Sequence, residues 1–218
     1  MCGRYGLYAT EQEIVSHFQL KRGFCMQPRY NIAPTQTIPI IMDRTQQIDF
    51  SRWGFVPSWQ KKQVDTPTGH INARFETLSE KPTFKHAFLQ QRCLIPASGY
   101  YEWKEINSKK QPFFVQLSEQ PLFAFAGLWS AWQSSNGDMI MSCAIITISA
   151  PLFLQRLHER MPVILSPENY AVWLAKENKI NDIAPLLAAM QPENVKIIPV
   201  STRMSHPQFE GKECVRSL

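Results

Sequence analysis

Apolar residues fall along most of this chain in short alternating or continuous runs, seldom at helical spacing. TIPIIM, QIDFSRWGF, RCLIPA, YYEWKE, PFFVQL, LFAFAGLW, MSCAIITIS, PVILS and KIIPVS each read as a strand bounded by Gly, Pro, Asn or Ser. Helical periodicity shows in three places. Thr10 with Glu13 forms a capping box ahead of an apolar stripe of Ile14, Val15 and Phe18 on a helix of about ten residues. A second helix starts near Ser166 with Pro167 at its first position and Tyr170, Trp173 and Leu174 on one face. A third, near 180–190, ends before Pro192. With no repeat and no Gly/Ser linker, the pattern predicts one β-rich α+β domain over residues 1–203, followed by a loose tail over 204–218 that carries Cys214.

At 218 residues, with 44% hydrophobic and 11% aromatic content, the chain is long enough to bury a substantial core. Its 23 Lys plus Arg against 18 Asp plus Glu leave a net charge of +5 and a pI near 9.0, which favours an anionic partner, nucleic acid first. Cysteines at 2, 25, 93, 143 and 214 form no C-x-x-C pair and no even framework, so neither disulfides nor a zinc site is expected and the compartment reads as reducing. No cofactor is called for. No apolar run approaches the roughly 20 residues of a membrane helix, and the N-terminus lacks a signal-peptide pattern. The expectation is a soluble, cytoplasmic, monomeric protein with no membrane partner.

Chemistry is sought where polar side chains sit among apolar ones, because burying them unpaired is costly. Asn72 stands in HINARFET beside Arg74 and Glu76, Glu102 between aromatics in GYYEWK, and His158 with Arg160 in LHERMPVIL. Each has an ordinary structural explanation too: Asn72 as a turn cap, Glu102 as the outward residue of an alternating strand, His158 as a satisfied core histidine, the arginines as solvated charges. The polar, basic stretch PSWQKKQVDTPTGH (57–70) reads as a surface loop or as the rim of a site. Cys2, directly behind the initiator methionine, is the remaining candidate. Removal of Met1 gives it a thiol and a free α-amine on adjacent carbons; otherwise it is a buried small hydrophobe.

Taken together, MCGRY at the start, RYNIAPTQ (29–36), RWGFVPSW (52–59), INARFET (71–77), KPTF (81–84), RCLIPASGYYEWK (92–104), FAGLW (125–129), ITISA (146–150) and LHERMPVIL (157–165) resemble, in order, the motifs of the SOS response-associated peptidase family, whose members shield abasic sites in DNA. The resemblance implies a single mixed domain of curved, mainly antiparallel sheets with peripheral helices. It implies that the mature N-terminal Cys2 joins an abasic sugar in single-stranded DNA as a thiazolidine, in a pocket lined by Asn72, Glu102 and His158. Arg4, Arg74 and Arg160 match phosphate-binding arginines, and Pro34, Trp59 and Thr147 match positions packing around nucleotides. Gln60, beside Trp59, departs from the aromatic or aliphatic residue frequent in relatives, and Lys81 stands where an arginine is used for phosphate. The resemblance also implies a bacterial, cytoplasmic protein that is nucleoid-associated when bound to DNA.

The aminothiol suits that reaction. At pH 7 an α-amine is roughly 10–20% neutral, whereas a lysine is only about 0.04% neutral, so the terminus is the better nucleophile for a ring-opened sugar aldehyde. Closing the ring with the thiol removes the iminium that otherwise drives β-elimination, so the strand is protected, not cut. Two other readings remain open from the residues: a Cys2–His158–Asn72 thiol peptidase, including one that processes its own terminus, and a noncovalent DNA-binding module with Cys2 idle.

Overall fold

The computed structural model describes residues 2–42, 47–60, 69–187 and 194–218. In chain order its strands are β1 (Tyr5–Leu7), β2 (Arg29–Ile32), β3 (Thr37–Ile40), β4 (Asp49–Trp53), β5 (Asn72–Arg74), β6 (Arg92–Ala97), β7 (Gly99–Ile106), β8 (Lys109–Leu117), β9 (Phe123–Gln133), β10 (Met139–Ser149), β11 (Arg160–Pro162), β12 (Ile164–Leu165) and β13 (Val195–Pro199). The helices are α1 (Glu11–His17), α2 (Pro82–Gln90), α3 (Leu152–Gln155), α4 (Tyr170–Leu174) and α5 (Ile180–Ile183). One sheet runs β13-β8-β7-β1-β2; the other runs β12-β9-β10-β4-β3, with β5 and β11 paired to β10 and β6 to β9. Pairing is antiparallel except where β4 and β5 lie parallel to β10. The architecture is the β-rich, mainly antiparallel one that the sequence pattern predicts.

The period-2 alternation of strands divides the first sheet between two cores. Tyr100 and Val115 form a cross-strand pair facing the main core, while their neighbours Tyr101 and Phe114 face the other way. The main core is shared by both sheets, with Tyr5 set edge-on against Trp53 and Phe125 at 5.4 and 5.8 Å between centroids. Gly99 opens β7 because any Cβ there meets the Phe114 ring and the Val115 carbonyl.

Local signals held in several places. Thr10 Oγ1 accepts from Glu13 N–H while the Glu13 carboxylate accepts from Thr10 N–H, so the capping box is complete. Pro167 opens a 3-10 turn, Pro167–Asn169, that leads into α4. The third helix is shorter than its periodicity suggests: α5 passes into a 3-10 turn over Ala184–Leu187, and 188–193 lie outside the described residues. PVILS is divided between β11 and β12, because Val163 N–H donates to Ile146 O between them. α2 had no expectation attached to it, although Pro82 at its first turn and Phe84, Ala87 and Phe88 on one buried face form a recognisable start and stripe.

The segment after residue 203, expected as a loose tail, packs against the outer face of the first sheet. Met204 and Cys214 are buried with Tyr101, Phe114 and Val200, and Ser217 bridges Val200. Asn31 anchors the turn: its Nδ2 donates to the carbonyls of Met204, His206 and Phe209 at 2.7–3.0 Å. Glu210 accepts from Tyr30 N–H and pairs with Arg29 at 3.2 Å.

Candidate functional site

The first residues of the chain run antiparallel to β7, with Tyr5 opposite Tyr100 and Tyr101 N–H donating to Arg4 O. Continuing that register carries Cys2 past the Glu102 level of β7. From the other sheet, β5 lies beside β10 with Asn72 opposite Ile145, and Trp53 Nε1–H holds the approach by donating to Ile71 O at 2.9 Å. Asn72 Nδ2 then donates to Cys2 O at 2.8 Å, so residues 70 positions apart meet at the amino terminus. Its Oδ1 is buried with no hydrogen-bond partner among the described residues. An acceptor left in that state costs about 1–3 kcal/mol, which a bound donor recovers.

Cys2 is 0% exposed, and burial, reinforced by nearby Glu102, pushes its thiol well above the usual range. Glu102 is 4% exposed above Tyr100; burial raises its carboxyl from 4.5 to about 7, opposed by the positive charge of the amino terminus. His158 precedes β11, and burial, helped by that same terminal charge, lowers its pKa. Cys2, Asn72, Glu102 and His158 thus gather around the start of the chain. A carboxyl near 7 is balanced between donor and acceptor at physiological pH, as proton transfer requires.

The residues matched to DNA contacts are distributed differently. Arg74, opposite Thr147, is exposed at the end of β5, and Trp59 is 61% exposed on the loop after β4. Gln60 O accepts from Trp132 Nε1–H, and 61–68 of the basic loop lie outside the described residues. Pro34 is half-buried in a turn whose Thr35 adopts φ 73°, and Lys81 is the exposed residue ahead of α2. Arg4 is engaged with protein: it donates to Asn31 Oδ1 at 2.6 Å and to the carbonyls of Met204 and Ser205, holding the C-terminal segment. Arg160 is likewise engaged, forked onto Glu76 at 2.7 and 2.9 Å, and buried Thr147 accepts from it through O and Oγ1.

Two residues in this neighbourhood were passed over in the sequence. Asn31, flanked by Tyr30 and Ile32, satisfied the same polar-among-apolar criterion that picked out Asn72. Glu76 was noticed only as a neighbour of Asn72; nothing local signals that its partner lies 84 positions away.

Known proteins share this fold and its sequence pattern. The solved structure of a protein from Bacteroides thetaiotaomicron superposes with a TM-score of 0.88 over 100% of both chains at 22% identity, which shows the fold. A phage-related protein from Bordetella bronchiseptica superposes at 0.69 with 28% identity, covering 91% of this chain and 94% of that one. Among curated proteins, the abasic site processing protein YoaM of Bacillus subtilis is 36% identical over 98% of this chain and 96% of its own length. The abasic site processing protein YedK of Escherichia coli is 29% identical over 99% of each. The sequence pattern of the SOS response associated peptidase (SRAP) family matches residues 1–207, and the chain belongs to that family.

Proposed function

We propose that this protein recognises abasic sites in single-stranded DNA and captures them covalently through Cys2 once Met1 has been removed, shielding the site from strand cleavage and error-prone bypass. The observation that carries the reading is the buried Glu102 carboxyl, near pKa 7 and electrostatically coupled to Cys2 and to the terminal ammonium, which Met1 carries in this chain. The names of the relatives as abasic site processing proteins support the same substrate.

The free Cys2 amine adds to the C1 aldehyde of the ring-opened sugar, giving a carbinolamine. Glu102 protonates the departing hydroxyl, water leaves and a C=N bond forms. The Cys2 sulfur then bonds to that carbon, closing a thiazolidine whose nitrogen keeps the hydrogen it already carries; the net change is loss of one water. The buried thiol stays protonated until Glu102, by then a carboxylate, accepts its proton. Asn72 Oδ1 supplies the acceptor that orients the adduct's N–H or hydroxyl. Run backwards, the same carboxyl reopens the ring and releases the protein.

A cysteine peptidase needs a thiolate paired with an imidazolium. Here burial pushes Cys2 up and His158 down, away from that ion pair, which favours the aminothiol reading. Arg74 and Trp59 form the exposed DNA-contacting set, giving salt-sensitive binding with little base preference. We assign the protein a monomeric state and a cytoplasmic location on bacterial DNA; no described helix is long and apolar enough to cross a membrane.

The test is a single-stranded oligonucleotide with one abasic site, incubated with protein and resolved by denaturing gel and intact mass. The expected product is a heat-stable adduct weighing Met1-free protein plus DNA less one water, missing in Cys2→Ala. A cleaved oligonucleotide without adduct, or capture that survives Cys2→Ala, overturns the proposal.

A further inference from the structure

Arg160 is held from both sides. Its backbone lies opposite Ser149 in the β10–β11 ladder, with Ala150 N–H donating to Glu159 O beside it. Its guanidinium donates from Nη1 and Nη2 to the two carboxylate oxygens of Glu76, and from Nη2 to Thr147 O at 2.6 Å. The backbone N–H of this doubly fixed residue donates to His158 Nδ1 at 2.9 Å.

An amide N–H donates only to a lone pair, so Nδ1 bears no proton, and the neutral ring carries its hydrogen on Nε2. We propose that Glu76 is a positioning residue of the site: by gripping Arg160 through both oxygens it keeps the Arg160 amide on His158 Nδ1 and presents His158 as a hydrogen-bond donor through Nε2. The consequence for catalysis rests on the function proposed above. His158 donates a hydrogen bond to a sugar oxygen without surrendering its proton, and net proton transfer is left to Glu102. Burial, the terminal charge and the Arg160 guanidinium disfavour an imidazolium and outweigh Glu159 and the Arg160 backbone contact, which favour it, so the pKa of the ring is lowered. The fork gives Glu76, half exposed, a reason to be acidic, since its carboxyl is held below the usual range mainly by Arg160.

The test uses DNA-free and DNA-bound readouts together. Long-range proton–nitrogen NMR of histidine-labelled wild-type protein should show His158 with a pyridine-like Nδ1 and a pyrrole-like Nε2. Glu76→Gln should give mixed tautomers, and Glu76→Asp should restore the wild-type pattern. Single-turnover capture by Glu76→Gln should slow by about tenfold to a hundredfold, with affinity for an undamaged oligonucleotide unchanged within about twofold. Unchanged His158 nitrogen shifts in Glu76→Gln overturn the proposal whatever capture does. Faster capture with a steeper salt dependence also overturns it, by making Arg160 a phosphate ligand that Glu76 masks. If the tautomer responds as stated but no variant, wild type included, captures DNA, the positioning role stands and the function proposed above fails.

Discussion

Replacing Glu102 with Gln should make the protein more stable at neutral and alkaline pH, because the wild-type carboxyl is an energetic burden once ionised. Its pKa is about 7 in the folded protein against about 4.5 when exposed. A folded-state pKa above the unfolded value means that the native state holds the proton more tightly. This contribution to stability is therefore complete below pH 4.5 and is lost as pH rises through 7. At about 1.4 kcal/mol for each pH unit of that window, the loss amounts to about 3 kcal/mol. Gln matches the shape and neutrality of the protonated acid and has no such loss. Urea unfolding of both proteins from pH 4.5 to 8.5 reads the effect, since titrating groups not coupled to Glu102 cancel in the difference. The variant's advantage should grow by about 3 kcal/mol across that range, equivalent to about 6–12 °C in Tm for a chain of this length. A difference that stays flat within about 0.5 kcal/mol refutes the argument that burial poises this carboxyl. The capture rate of wild type should show a matching inflection near pH 7 that Glu102→Gln abolishes.

Trp59→Ala should leave thermal stability within about 0.5 kcal/mol, given its 61% exposure, yet weaken single-stranded DNA binding by about 1–3 kcal/mol in an anisotropy titration. Asn31→Leu strands the carbonyls of Met204, His206 and Phe209 and should cost about 2–4 kcal/mol by urea unfolding, with faster proteolysis of the C-terminal segment than in wild type. Arg92 is 3% exposed and donates to the carbonyls of Phe88, Trp173 and Ala175, tying the end of α2 to that of α4; Arg92→Met should lose about 2–4 kcal/mol in the same assay, and Arg92→Lys should recover only part because an ammonium cannot reach all three.

Features set by neighbours along the chain could be read directly. RCLIPA is a strand because its apolar run lies between turn residues, and it coincides with β6. Thr10 and Glu13 cap a helix because their groups are three residues apart. Asn72, Glu102 and His158 were visible as candidates because a polar group among apolar neighbours must be paired or used, wherever the chain later takes it, and Cys2 because it directly follows the initiator methionine. Which of these meet, and what each is doing, depends on contacts that no local pattern encodes. Parallel pairing of β5 with β10 brings Asn72 to Cys2 O; ladder register puts Arg160 opposite Ser149 and within reach of Glu76; and Asn31 turns residues 204–218 back onto the sheet. An arginine reads the same in sequence whether it faces a phosphate or a carboxylate. Long-range packing selects the partner, because a buried guanidinium must be matched by whichever acceptors the fold delivers to it.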